Sequence, residues 1–252
     1  MTASTRVRLL DVPVDLLDMA ATVDLVRRHV DERVPGAHLG VNAANLILAR
    51  DDPAYLADLS AADVVTVDGQ WVLWGARLLD HDLAERVTGI DLMQQLLREA
   101  RCRDWSVYLV GARPAVVRAL ARRLDRTGVR VAGYRDGYFA ADASASIATA
   151  VKASGADLLF VGLPSPQKER FIIEHARPAG VPFSIGVGGS FDVLSGRLRR
   201  APRLLQRMGM EGVFRFAQEP RRLFGRHGIM SLRFVWLLSR QLVRHHARPS
   251  RR

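Results

Sequence analysis

The chain has 252 residues, 48% of them hydrophobic and 25% charged, enough for one sizeable globular domain with an appendage. Its single cysteine, Cys102, excludes an internal disulfide framework and a cysteine-based zinc cluster, and no apolar run reaches the roughly eighteen residues of a membrane-spanning helix. The net charge of +11 is unevenly spread: residues 1–196 hold 22 basic and 24 acidic side chains, whereas residues 197–252 hold 15 basic side chains and only Glu211 and Glu219 as acids.

In chain order, short apolar runs at His38–Asn42, Asp63–Asp68, Ser106–Gly111, Val129–Tyr134, Asp157–Gly162 and Pro182–Val187 read as strands. Between them Gly89–Cys102, Pro114–Thr127 and Asp142–Ser154 carry apolar residues at spacings of three and four, as amphipathic helices do. Pro114 suits a first helical turn, where its missing N–H has no partner to lose. This alternation predicts an α/β, Rossmann-like, mostly parallel sheet with helices on both faces over residues 1–196. A basic helical appendage is expected over 197–252. The N-terminus shows no apolar core behind a basic stretch, so no secretory signal is expected.

Ligands of parallel sheets bind beyond the carboxyl ends of the strands, which draws attention to Asn42, Asp68, Gly111, Tyr134 with the Asp136–Phe139 loop, Gly162, Gly188 and Gly189. Asp68, followed by Gly69, suits a general base, with an N-cap for a helix starting near Gln70 as the alternative. In Gly186–Asp192 exposed backbone N–H groups could cradle a diphosphate. Asp192 could accept from a base or ribose, or cap a helix. Lys168 opposes the dipole at a helix start, which suggests an anionic ligand where a solvated lysine is the default. Arg86 is a further cation beside a loop glycine. Scattered histidines and the lack of a D-x-D pair between a strand and a loop disfavour a divalent-metal site. No G-x-S-x-G, P-loop or G-x-G-x-x-G element supports a hydrolase, a kinase or a nicotinamide-dependent oxidoreductase.

In the tail, Arg226, Arg233 and Arg240 recur every seven residues, and Phe234, Trp236, Leu237, Leu238 and Leu242 supply apolar surface. Such a helix suits an anionic membrane boundary, with packing on the body or on a second copy as the competing reading, which leaves a homo-oligomer open. The interleaved apolar residues suit lipid better than a nucleic-acid groove, so no specific nucleic-acid partner is expected.

The motifs Asn42–Leu46, Asp68-Gly69, Arg86–Asp91, Gly111–Pro114, Gly137–Phe139, Val161–Pro166, Val187–Gly196, Arg200–Pro202 and Glu219–Leu223 follow one another in an order that resembles the WecG/TagA/CpsF glycosyltransferases. The resemblance runs from Val12 to Arg226. It implies a Rossmann-like domain and inverting transfer from a UDP-sugar donor, often UDP-N-acetylmannosamine, to a sugar on undecaprenyl diphosphate. It also implies an enzyme that needs no metal or other cofactor and sits peripherally on the cytoplasmic face of the membrane, making envelope polysaccharide. Carried over by position, Asp68 looks like the base, Asn42 like a residue positioning substrate beside it, and Arg86 like a contact to substrate or phosphate. Tyr138, Gly188, Gly189 and Asp192 look like parts of the UDP pocket, and Gly111 and Lys168 stand in the substrate region. Arg215, Arg221 and Arg222 look like appendage cations that reach the diphosphate. Two positions depart from the family pattern: Gly40 replaces a threonine, and Lys168 replaces a glutamine.

Overall fold

The chain enters through a hairpin that the sequence pattern does not announce, β1 (Arg6–Leu9) and β2 (Val12–Asp15), in a computed structural model that describes residues 5–218, 233–234 and 236–240, without the side chains of Arg207, Arg215 and Phe216. The turn between the strands places Leu10 and Asp11 at φ 48° and 71°. A two-residue hairpin turn of this hand normally draws Asn-Gly, so its usual sequence signal is missing. The hairpin is fixed to the body by Asp15. Arg6 Nη2 and Nε donate to its carboxylate at 2.8 and 3.0 Å, and the backbone N–H of Val65 donates to Oδ2 at 2.7 Å.

Each of the six expected runs is a strand: β3 (Gly36–Val41), β4 (Val64–Val67), β5 (Ser106–Gly111), β6 (Arg130–Arg135), β7 (Leu158–Gly162) and β8 (Phe183–Gly186). They form one parallel sheet in the order β4-β3-β8-β7-β5-β6. Before and between them lie α1 (Met19–Asp31), α2 (Ala43–Asp51), α3 (Pro53–Ala61), α4 (Gln70–Leu78), α5 (Gly89–Cys102), α6 (Pro114–Arg126), α7 (Ser144–Ala153) and α8 (Gln167–Arg170). The last of these runs on as a π-helical turn, Phe171–Ala176. Three short helices follow: α9 (Ser190–Leu194), α10 (Arg203–Arg207) and α11 (Glu211–Gln218). The helices expected at 89–102, 114–127 and 142–154 are α5, α6 and a 3₁₀ turn (Ala141–Ala143) leading into α7. Asp52 ends α2 and caps α3, with Pro53 in the first turn.

Both faces of the sheet are dry except at the edge strand β6, whose residues are exposed or half-buried. Along β7, Leu158 and Phe160 point into the layer built by α1, α5 and α6, while Leu159 and Val161 point into the layer with α2, α3, α4 and α7. A strand buried on both sides needs apolar residues at every position, which is why these runs are continuous instead of alternating. Because all six strands are parallel, their carboxyl ends share one edge, where the candidate residues lie.

Of the tail, Phe234, Leu237 and Leu238 are buried in the same layer as α4. Leu238 lies against the bare Cα of Gly75, and Arg233 forms a two-pronged pair with Asp51 at 2.6 and 2.8 Å. For this piece, packing on the body is what is seen; Arg240 rests over the ring of Trp236 at 4.7 Å. Arg226 and the Glu219–Leu223 motif lie outside the described residues. Among the described residues no helix is long and apolar enough to cross a membrane.

Candidate functional site

Asp68 closes β4 and does not cap the following helix. The N-cap of α4 is Gly69, with no side-chain cap, so the capping reading of Asp68 fails. Its backbone N–H donates to Val41 O at 2.9 Å, which extends the ladder by one residue and aims the carboxyl off the sheet edge. Burial, then the charge of Glu211, push the Asp68 carboxyl up to about 6; Lys168, Arg86 and the N–H of Gly89 pull the other way. The group is therefore ionised at neutral pH yet basic enough to accept a proton.

Asn42 closes β3 beside it: a Cβ on Gly69 would sit 3.2 Å from the Asn42 Cβ. Its Oδ1 is committed to α2, accepting from Ala44 N at 2.9 Å and Asn45 N at 3.2 Å, while Asn45 Oδ1 accepts from Asn42 N at 3.1 Å. This reciprocal cap fixes the side chain. Its Nδ2 has no partner among the described residues and remains a donor for a ligand. The turn reads Val-Asn-Ala-Ala-Asn, with no glycine fingerprint for a dinucleotide.

Arg86 donates from Nη1 to Glu211 Oε2 at 3.4 Å, joining a residue near β4 to one 125 positions later. Arg200 reaches the same carboxylate at 3.6 Å and grips Asp91 with two bonds of 2.6 and 2.7 Å. Thr88, the N-cap of α5, donates to Asp91 at 2.6 Å. Arginine and carboxylate thus alternate around Asp68. Sequence reasoning assigned no role to Asp91, Arg200 or Glu211, because their convergence is a product of the fold.

Lys168 is neither solvated nor free for an anion. Its side chain is buried, lies against the backbone of Gly186, and places Nζ 3.0 Å from Glu169 Oε1 and 3.4 Å from Ser165 Oγ. The same Oε1 accepts from the hydroxyls of Tyr55 at 3.0 Å and Ser165 at 2.8 Å, and Asn45 Nδ2 donates to both of those oxygens at 2.7 and 3.1 Å. Glu169 Oε2 is buried with no hydrogen-bond partner among the described residues. Through Asn45 this network reaches the Asn42 cap, so the cation and the asparagine belong to one rigid polar unit. Nearby, His38 is wholly buried on Thr66 Oγ1 at 2.9 Å; burial first, then Lys168, lower it to about 3, and it stays neutral.

The other strand ends build with backbone. Gly111 has φ 134°, and a Cβ there would lie 2.5 Å from the carbonyl carbon of Gly162. One on Gly162 would meet the carbonyl of Gly188 at 3.1 Å, and one on Gly137 would meet the Cα of Gly111 at 3.2 Å. Gly111, Gly137, Gly162 and Gly188 thus lie backbone against backbone, with the side chains of Leu163 and Phe191 closing on Gly137 and Gly162. Space opens above Gly188 (φ 50°), and Gly189 is the N-cap of α9. Tyr138 stands 68% exposed at the rim, and the buried Asp192 receives Arg197 at 2.7 Å. Arg215 lies on α11 with its side chain outside the description, and Arg221 and Arg222 fall outside it entirely.

Among the described residues no group of three or more His, Cys, Asp or Glu could hold a metal ion. A cavity of about 540 Å³ lies on the outer side of α6, lined by Arg122, Arg123, Arg126 and Ser195, and contains none of the candidate residues.

The sequence model of the Glycosyl transferase WecG/TagA/CpsF family matches residues 7–248. The N-acetylglucosaminyldiphosphoundecaprenol N-acetyl-beta-D-mannosaminyltransferase of Bacillus subtilis (strain 168) is 30% identical over 215 residues, covering 83% of this chain and 82% of that one. The enzyme of the same name from Bacillus spizizenii (strain ATCC 23059 / NRRL B-14472 / W23) is 36% identical over 178 residues, 69% of this chain and 68% of that one.

Proposed function

This chain belongs to the WecG/TagA/CpsF family of glycosyltransferases, and on that premise we propose that it moves a sugar, N-acetylmannosamine or a related hexose, from UDP to a sugar carried on undecaprenyl diphosphate. The observation that carries the reading is Asp68: a carboxylate with no capping duty, tuned to about 6, at the sheet edge beside an asparagine donor and within the field of Arg86, Lys168 and Glu211. The relatives' names supply the acceptor class and the sugar.

In this reading the Asp68 carboxylate takes the proton of the acceptor hydroxyl. The freed oxygen attacks the anomeric carbon on the face opposite UDP, the bond to the β-phosphate oxygen breaks, and its electron pair leaves on UDP, inverting the anomeric centre. Asn42 Nδ2 orients the acceptor, and Arg86 meets phosphate. The glycine strand ends let the diphosphate approach backbone N–H groups, with Tyr138 and Asp192 at the nucleoside end. Charge on departing UDP is met by arginines, Arg86 here and Arg215, Arg221 and Arg222 from the appendage, in place of a metal. The basic appendage holds the enzyme peripherally on an anionic cytoplasmic membrane face.

Calorimetric titration with UDP, with and without EDTA, tests the donor half. Binding unchanged by chelator and weakened in Asp192→Ala is expected; no UDP binding at all would overturn it. Loss of transfer in Asp68→Asn with UDP binding retained would establish the base, and a fully active Asp68→Asn protein would remove it.

A further inference from the structure

The helix that follows Asp68-Gly69 has two unlike sides. Val72, Leu73 and Ala76 of α4 are buried, and Gly75 receives Phe234 and Leu238. The opposite side presents Trp71, Trp74 and Leu78 at 52%, 38% and 57% exposure. Their spacing of three and four puts them on one stripe. The two indoles stack edge to face, with ring centres 5.3 Å apart. Tryptophan is rarely left open on a soluble surface, and two in contact on one helix make a patch.

The patch continues beyond the helix. The turn at Gly209 lies against Gln70 and Trp71, and α10 with its flank presents Leu204 and Met208, both exposed. Trp236, also exposed, sits on the segment whose inner side packs on α4. The electrostatic setting is one-sided: residues 70–78 contain no carboxylate, and residues 197–210 contain five arginines and no carboxylate. Of these, Arg203 is exposed, while Arg197 and Arg200 are held by Asp192 and Asp91. The acidic residues Asp80 and Asp82 lie past the far end of α4.

We propose that the Trp71–Trp74–Leu78 face of α4, with Leu204 and Met208 beside it, rests on the headgroup boundary of an anionic bilayer. Indole supplies an apolar body and an N–H that hydrogen-bonds in the wet headgroup layer, and arginines add attraction to anionic lipid. Nine helical residues span about 13 Å, so Trp71 lies within one turn of Asp68 and Leu78 at the far end. A bilayer-seated α4 thus holds the base close to the plane where a lipid-borne diphosphate lies. The reason for that placement rests on the lipid-linked acceptor proposed above; the lipid contact itself does not.

The test uses the full chain and vesicles of equal parts phosphatidylglycerol and phosphatidylcholine. Trp71→Ser/Trp74→Ser and, separately, Leu78→Asp are expected to lower partition into sedimented vesicles by about tenfold or more, with melting temperature close to that of the parent. In a Trp236→Phe background, brominated phosphatidylcholine blended into the same vesicles should quench the remaining emission, since Trp105 is buried and contributes a constant signal. Well-folded variants that partition like the parent, or emission untouched by bromine, would overturn the proposal. So would light scattering that shows the substitutions dissolving a dimer while vesicle binding persists, because a second copy would then be the occupant. Transfer to a short-chain, water-soluble acceptor reads the proposed reaction without any vesicle.

Discussion

The two halves of the sheet edge are built from different materials. At β3 and β4 the edge is made of side chains in a dense polar weave: Asp68, Asn42, Arg86, Glu211, and the buried Lys168–Glu169 pair. At β5, β7 and β8 it is made of backbone, with glycines so close that no Cβ fits between Gly111 and Gly162. A proton-transfer site needs tuned charge, which only side chains supply. A phosphate cradle needs N–H groups brought near, which side chains would obstruct. On the function proposed above, chemistry falls to one half and donor binding to the other, and that assignment can be broken.

The largest expected effect is on the side-chain half. Asp68→Asn should lower kcat by about 10²- to 10⁴-fold with UDP affinity unchanged; an equal loss of both in a titration would erase the division. Lys168→Met should come next. It strands Glu169 in a dry site, and unfolding in urea should show a loss of about 3–5 kcal/mol, with most of it recovered in Lys168→Met/Glu169→Gln. On the backbone half, Gly111→Ala forces a side chain into a left-handed position against a neighbouring strand. A loss of about 1–3 kcal/mol, together with weakened UDP binding and a kcat less affected than KM, is the expected outcome.

Acidity sharpens the comparison. The Asp68 base form is lost as pH falls through about 6, so kcat/KM should drop on that limb while UDP binding holds. The folded carboxyl is raised from 3.8, which means that the native state loses stability as pH rises between those values. Asp68→Asn should therefore melt higher than the parent above pH 6 and alike below pH 4. The smallest effect is expected from Gly40→Thr. A Cβ at Gly40 would stand 3.7 Å from Asp68 Oδ2, in ordinary contact, so a hydroxyl there fits and can donate to the carboxylate. The acid limb should move down by a fraction of a pH unit.

The strands were legible because a parallel sheet buried on both faces favours apolar runs, and most runs here end in a glycine or a polar residue. The β1–β2 hairpin was not, since Leu10 and Asp11 hold a left-handed turn without the residues that usually mark one. The candidates at 42, 68, 86, 111, 188 and 192 were legible as strand ends and motif members. The burial of Lys168 was not, because its compensation comes from Tyr55, Ser165 and Glu169, two of them neighbours and one on another helix. Glu211 shows the same limit: the acid that helps to tune Asp68 sits in the arginine-rich tail, where charge counting treats it as an exception.

Glycine in mid-helix normally weakens the helix. At position 75 its bare Cα admits Leu238, which would come within 2.9 Å of any Cβ placed there. Phe234, Leu237 and Leu238 thereby become a latch on the helix that starts directly behind Asp68 and Gly69. Removing the chain beyond residue 232 would uncover the apolar side of α4 and unfasten the rod against which the Asp68-Gly69 turn is braced. Residues late in this chain thus govern how firmly its first half holds Asp68.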